Sequence, residues 1–510
     1  MTTSELRGGA RLMVGFEGRT PSDDLKRVLL ETGARSVILF ARNLRDAAAA
    51  HDLIAAIRAL VPWPLLLAVD QEGGPVVRVA RGATVFPGNM ALGAVGDVDL
   101  ALRAGMESGR QLRAIGFDLN LAPVVDLQTN PRNPGIGIRS LGADRRPAAR
   151  LARALIEGHE RLGVASCLKH FPGKGAADVD AHIDLPVIDL PREGFYDPHV
   201  RIFAELRSAA PTLAVMTTHV VVRAFDPRNP ATFSAPLVRD LLRGEIGFQG
   251  LVLADDLEMG AIVKHGTVGD AALMAALAGH DVLPICHDAG HQIAAARRLD
   301  AALRSGELSA DEHRRSIDRI LALAGRSAGA DGRFDRHEGD GIAREISRRA
   351  VHLFGDRRGL LPLPSTGRIA VLAVRPFNTV GVEEEADRDW QGLWERTLAA
   401  AGFTAATVIP FAADLDDEAS AALLDRAATH ERVVLTSWNA RGLATMARLL
   451  AEASRRLADR LVVLHLRNPF DQALVPEGVT ALTAFGYRIN QIEALTDCLA
   501  GTLRPAGCFP

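Results

Sequence analysis

PLLLAVDQEGG, residues 64–74, runs an unbroken apolar stretch into an acidic residue, Asp70, and then into twin glycines. A strand with one wet face alternates in polarity. A continuous apolar run of this length is expected instead where both faces of a parallel sheet are covered. The glycines after it let the backbone turn sharply. The same grammar recurs outward on both sides. The runs are LMVGF (12–16), SVILF (36–40), FDLNLAPVVD (117–126), ASCLKHF (165–171), TLAVMTTHV (212–220), GLVLADD (250–256) and DVLPIC (281–286). Helical patterns lie between most of them. PAARLARALIEGHERLG (147–163) aligns Leu151, Leu155, Ile156 and Leu162 on one stripe and stops at Gly163. SADEHRRSIDRILALAG (309–325) opens with Ser309 and Glu312 in capping-box spacing.

Eight such units suit a (β/α)8 TIM barrel, whose usual length is about 250 residues. A doubly wound sheet is the structural alternative. Polar residues favour the barrel: they cluster just past the strand cores, at Asp70, Asp126, Lys169/His170, His219 and Asp255/Asp256. In a barrel all of these meet at one face. The barrel is assigned to residues 1–325. RSAGADGRFDRHEGD (326–340) is polar and aperiodic and reads as a linker. Residues 341–510 then give a second βα series of five strands: RIAVLAV (368–374), TAATVIP (404–410), RVVLTSW (432–438), RLVVLHLRNP (460–469) and VTALTAF (479–485). This predicts a smaller α/β domain, doubly wound and sandwich-type. No strand in it leads into a phosphate-binding glycine loop.

The composition excludes several function classes. Of 510 residues 48% are hydrophobic and 24% charged, an ordinary globular balance. A net charge of −3 argues against nucleic acid or an anionic membrane as the main partner. Cys167, Cys286, Cys498 and Cys508 are scattered, with no CxxC pair, so no disulfide framework is expected. The N-terminus lacks the pattern of a signal peptide, and no run of about 18 apolar residues suggests a membrane span. The expectation is a cytoplasmic protein of unspecified oligomeric state. The Cys and His spacings suggest no metal site, and nothing calls for an organic cofactor.

Four segments carry chemistry. KHFPGKGAADVDAHIDLP (169–186) follows an apolar strand with two basic groups that a structural loop does not need. In an extended loop Asp180 and His182 point the same way, so the carboxylate can hold the imidazole in one tautomer and raise its basicity, as a general acid/base requires. A chance surface Asp-x-His is common, however. LVLADDLEMGAI (251–262) ends a strand in two carboxylates facing opposite ways. Asp256 suits a helix cap, leaving Asp255 as a nucleophile. LAVDQEGGPVVRVARG (67–82) pairs Asp70 with Arg78, either as a salt-bridged turn or as a sugar-hydroxyl acceptor. NPRNPGIGIRSLGAD (130–144) embeds Arg139 in a dense Pro/Gly/Asn loop.

In this order the four motifs resemble glycoside hydrolase family 3, most closely its bacterial β-N-acetylhexosaminidase branch with a role in peptidoglycan recycling. MVGFEG…VILFARN near the N-terminus adds to the likeness. It is strong over about residues 8–325 and looser over 341–510, where EISRRAVHLF…LLPLP resembles the entry to the family's second domain. The resemblance implies Asp255 as nucleophile, with Ala254 where relatives usually carry Ser. It implies His182 as acid/base with Asp180 as its partner. Asp70, Arg78, Arg139, Lys169 and His170 match residues that hold the non-reducing sugar, and His219 and Met259 match residues lining that pocket. The implied substrates are β-linked amino-sugar glycosides or muropeptide-type saccharides. One departure stands out. Relatives usually read KHFPGHG, whereas this chain carries Lys174, a charge that favours an anionic acceptor or leaving group. Phosphorolysis with the same residues, a relaxed choice of sugar, and a non-catalytic sugar-binding protein are the competing expectations.

Overall fold

The computed structural model describes residues 7–178, 185–263, 266–378, 383 and 389–510. All eight expected barrel strands form; the fifth fills its apolar run and the others are shorter than theirs. They are β1 (Leu12–Val14), β2 (Ser36–Leu39), β3 (Leu66–Val69), β4 (Leu119–Asn120), β5 (Ala165–Phe171), β6 (Ala214–Thr217), β7 (Leu251–Leu253) and β8 (Leu283–Ile285). Neighbours in sequence are neighbours in the sheet, all parallel, and β8 pairs back onto β1. The remaining seam, between β7 and β8, is closed by one parallel bridge, Leu253 to Val282. This sequential order with closure is the (β/α)8 topology and rules out the doubly wound alternative for this half of the chain.

Side chains fill the barrel interior. Met13, Ile38, Leu66, Cys167, Met216 and Leu251 belong to one buried cluster, and Ile320 and Leu323 of the helix Ala310–Leu323 join it. The two ends of the 117–126 segment divide the labour. Asp118, before β4, is fully buried and accepts hydrogen bonds from Leu67 N (2.9 Å), Arg58 Nη2 (2.8 Å) and Ser327 N (2.8 Å). It therefore straps the 326–336 stretch to the stability face of the barrel. Asp126, past β4, lies on the opposite face with the chemistry.

The helix Ser309 caps starts at Ala310, and its hydroxyl accepts Glu312 N as the capping pattern requires. The helix entering the second domain, His337–Ala350, already begins inside the expected linker, with Glu338 and Asp340 in its first turn, where the helix dipole favours acids.

The second domain is one six-stranded sheet: β9 (His352–Gly355), β10 (Ile369–Val374), β11 (Thr407–Phe411), β12 (Arg432–Ser437), β13 (Leu461–His465) and β14 (Thr480–Thr483). Its order is β9–β14–β13–β12–β10–β11, parallel except for β9. The sequence reading names five strands and misses β9. HLFG is short, half-buried and sits at an edge, so it lacks the long apolar run that marks the others.

The core holds neutral imidazoles. His159 meets Ser166 Oγ (2.9 Å), His280 meets Thr217 Oγ1 (2.8 Å), and His465 meets Ser437 Oγ (2.8 Å). Burial pushes all three from 6.5 down to about 4. The unfolded chain takes up these protons near pH 6.5, whereas the folded one resists until about pH 4. Stability is therefore complete above pH 6.5 and is lost as pH falls through that window, by up to about 3 kcal/mol per imidazole. Urea midpoints measured at pH 7.5, 6, 5 and 4.5 should fall progressively, and a flat profile would contradict this prediction.

Candidate active site

The strand ends converge on a pocket of about 480 Å³. Asp70, Arg78, Arg139, Lys169, His170, Asp255 and Met259, seven of the residues singled out in the sequence, line it together. They come from four separate segments, and parallel closure of the barrel is what brings them to one mouth.

The floor is an ion cluster. Lys169, at 3% side-chain exposure, reaches both Asp70 Oδ1 and Glu72 Oε1 at 2.6 Å through its Nζ. Arg139 forks onto Glu72, with Nε and Nη2 each at 2.9 Å, and anchors its Nη1 on Gly135 O (2.9 Å). Both partners of that fork are 2% exposed. Burial would raise the Glu72 carboxyl, but Arg139 and Lys169 outweigh it and hold the group at about 2. Likewise burial would lower Lys169, yet Asp70 and Glu72 keep it above its usual value. Glu72, Arg139 and Lys169 therefore stay charged. Arg78 Nη2 lies 3.6 Å from Asp70 Oδ2, and its guanidinium sits over the Phe40 ring. Asp70, at 14% exposure, is the more accessible of the two carboxylates. Glu72 is a residue that sequence reasoning missed. Its signal was the acid between Asp70 and the twin glycines.

A second acid orients the next group. Asp126 is buried and accepts His170 Nδ1 (2.7 Å), His170 N (3.0 Å) and Lys174 N (2.7 Å). Burial, opposed by Lys174 and these hydrogen bonds, pushes its pKa up. The contact fixes the His170 ring at the pocket wall with Nδ1 turned away toward Asp126. Lys174 lines the same wall and is itself buried.

Past β7, Asp255 and Asp256 do diverge. Asp255 lines the pocket, and its Oδ1 accepts Asp256 N (3.0 Å). Asp256 does not cap a long helix. Its Oδ1 accepts Glu258 N (3.2 Å), and its Oδ2 meets His287 Nε2 (3.2 Å). The hydrogen bond to Asp256 raises the His287 pKa. The expectation for His219 needs correction. It is fully buried and is not among the pocket-lining residues. Its Nε2 donates to the Asp256 carbonyl (2.8 Å) and its Nδ1 meets Thr232 Oγ1 (2.6 Å). It works behind the site by fixing the backbone that carries Asp255. Burial lowers its pKa, which keeps the ring neutral.

Asp180 and His182 lie outside the described residues. Among the described residues, Asp256, Glu258 and His287 could each offer a metal one atom, all within 4.8 Å. Glu258 is already committed, however. It accepts His287 N (2.6 Å), Asp288 N (3.2 Å) and His291 Nδ1 (2.8 Å) at the start of the helix Ala289–Ser305. Two further wall residues were not singled out in the sequence: Arg42, although it lies in the VILFARN motif, and Glu383.

Comparison with known proteins agrees with this geometry. Residues 5–323 match the family model for the glycosyl hydrolase family 3 N terminal domain. A β-hexosaminidase from Xylella fastidiosa (strain 9a5c) is 38% identical over 303 residues, covering 57% of this chain and 89% of that protein. Beta-hexosaminidase A from Pseudoalteromonas piscicida is 34% identical over 319 residues, 55% of this chain but only 53% of that protein. The solved structure of a glycoside hydrolase family 3 β-N-acetylglucosaminidase from Paenibacillus sp. str. FPU-7 superposes with a TM-score of 0.93. It is 34% identical and covers 100% of this chain and 98% of that one. With the motif order, the closed barrel and the match over 5–323 in agreement, the chain belongs to glycoside hydrolase family 3.

Proposed function

We propose that the protein is a retaining, exo-acting β-N-acetylhexosaminidase that releases a terminal β-linked N-acetylglucosamine. The observation that carries the reading is Asp255 lining the same pocket as the Asp70, Arg78, Arg139, Lys169 and His170 group. A carboxylate nucleophile needs the sugar held by groups that do not themselves react, and this cluster supplies charged donors and acceptors for sugar hydroxyls. The names of the relatives from Xylella and Paenibacillus support the same activity.

In the first step Asp255 attacks the anomeric carbon, the glycosidic C–O bond breaks, and the leaving oxygen takes a proton from His182, with Asp180 behind it. In the second, water attacks the anomeric carbon, its bond to the Asp255 carboxylate breaks, and the water gives a proton to His182, so two inversions retain the configuration. The roles of His182 and Asp180 rest on the motif resemblance. The protein's proposed place is cytoplasmic amino-sugar or peptidoglycan recycling, with muropeptide-type saccharides as natural substrates.

Lys174 on the pocket wall favours one second reading, phosphorolysis, because an ammonium beside the glycosyl-enzyme attracts phosphate where a carboxylate would repel it. A nitrophenyl β-N-acetylglucosaminide assayed with and without phosphate separates the two. Free N-acetylglucosamine is the expected main product in both, and sugar 1-phosphate as the main product would replace the hydrolase reading with a phosphorylase.

A further inference from the structure

The second domain puts one carboxylate into the sugar pocket. Glu383, in the segment after β10, is the only pocket-lining residue among those described that comes from outside the barrel. Its side chain is 1% exposed and is paired with Arg467, which follows β13 and is 3% exposed. Arg467 Nε donates to Glu383 Oε1 at 2.6 Å, and Nη2 meets the same oxygen. The Glu383 carbonyl accepts Asn378 Nδ2 (3.2 Å). Arg467 also packs onto the barrel: a Cβ on Gly137 would sit 3.0 Å from its Nη1. Gly137 opens the turn that ends at Arg139. Two further bonds cross the same seam, Arg488 Nε to Gly74 O (2.7 Å) and Asn490 Nδ2 to Val85 O (3.4 Å).

A buried ion pair is a poor way merely to hold two domains together, since well-packed apolar residues do so equally well or better. The pair at this seam opens instead onto a polar pocket. A carboxylate offers about four acceptor positions, so the Arg467 contact does not by itself exhaust what Glu383 can accept. The Xylella β-hexosaminidase, matched over 303 residues that make up 89% of it, has too little remaining chain for a counterpart of the six-stranded domain.

We propose that Glu383 is a specificity-determining residue that accepts a hydrogen bond from a hydroxyl of the bound neutral sugar, with Arg467 as its positioning residue, so that the sugar site belongs to both domains. The inference rests on the glycosidase reading above. An anionic sugar substituent at this wall would face Glu383 and be disfavoured.

The test uses the full chain. It compares KM for a nitrophenyl β-N-acetylglucosaminide and the inhibition constant of free N-acetylglucosamine in Glu383→Gln, Arg467→Met and the double variant. Both constants should rise roughly tenfold or more in Glu383→Gln, where a neutral amide no longer held by the Arg467 ion pair replaces a charged acceptor of the substrate hydroxyl. kcat should change less than KM, and the double variant should be no worse than the poorer single one. Constants within twofold of wild type in Glu383→Gln would overturn the proposal. Glu383→Asp covers loss of stability, because it keeps the charge for Arg467 and withdraws it from the pocket. Under the proposal its melting temperature recovers while KM stays high. Recovery of both together would show a purely structural pair and overturn the inference. Calorimetric titration of N-acetylglucosamine keeps the two readings apart: a wild type that binds the sugar but cleaves no glycoside fails as a glycosidase, and the Glu383 comparison can still be made on binding.

Discussion

Asp255→Ala is expected to lower kcat toward a nitrophenyl β-N-acetylglucosaminide by about 10⁴-fold or more, the scale of losing a covalent nucleophile. KM should change little, because the sugar-holding groups Asp70, Glu72, Arg139 and Lys169 are positioned by their pairings with one another. The fold should survive, since Asp255 is only partly buried at the mouth and the backbone beside it is held by His219 through the Asp256 carbonyl. Added azide should restore partial turnover by attacking the anomeric carbon from the face Asp255 used. It would then give the α-glycosyl azide, the anomer opposite to the normal product. Unchanged turnover in Asp255→Ala would remove it from the mechanism, and a rescued product of β configuration would rule out a nucleophile on that face.

The second large effect falls on stability. Glu72→Ala leaves the Arg139 guanidinium, 2% exposed, without its forked partner and strips Lys169 of one of two carboxylates. Breaking a buried pair from one side costs about 3–5 kcal/mol, because the remaining charge stays dehydrated. For a chain of this size that is roughly a 10 °C fall in melting temperature, with sugar affinity lost as well, since Arg139 also lines the pocket. Asp70→Ala is the control. Asp70 is more exposed, and Lys169 keeps Glu72, so its loss should raise KM strongly while moving the melting temperature by only a few degrees. Calorimetric scans of the two variants check the contrast. Equal destabilisation would mean that Asp70 and Glu72 are interchangeable parts of one floor.

Much of this architecture was legible in the linear chain, for a definite reason. A buried parallel strand is largely apolar, so β1 to β8 announced themselves, and polar residues at the ends of β3 to β7 marked the mouth of the barrel. The runs overstate strand length because apolar residues continue past the ladder: 117–126 contains only the two paired residues of β4. Strand β9 escaped because an edge strand buries little. Asp126 was placed at the mouth, but its hold on His170 and Lys174 depends on the 169–174 backbone folding back over it, which no spacing encodes. His219 was misjudged for a related reason. A histidine at a strand end faces the pocket or the wall behind it, and only its partners Thr232 and Asp256 decide which.

By itself, then, the sequence determined the family, the barrel, the second α/β domain and most of the side chains at the mouth, because each is written in local periodicity or in a contiguous motif. Tertiary structure alone decided how those side chains pair. Glu72 as the shared anchor of Arg139 and Lys169, His219 as a prop rather than a wall, and Glu383 entering from the second domain are contacts between residues tens to hundreds of positions apart. Their energies depend on burial and on distances of 2.6 to 2.9 Å, which exist only once the chain has closed on itself.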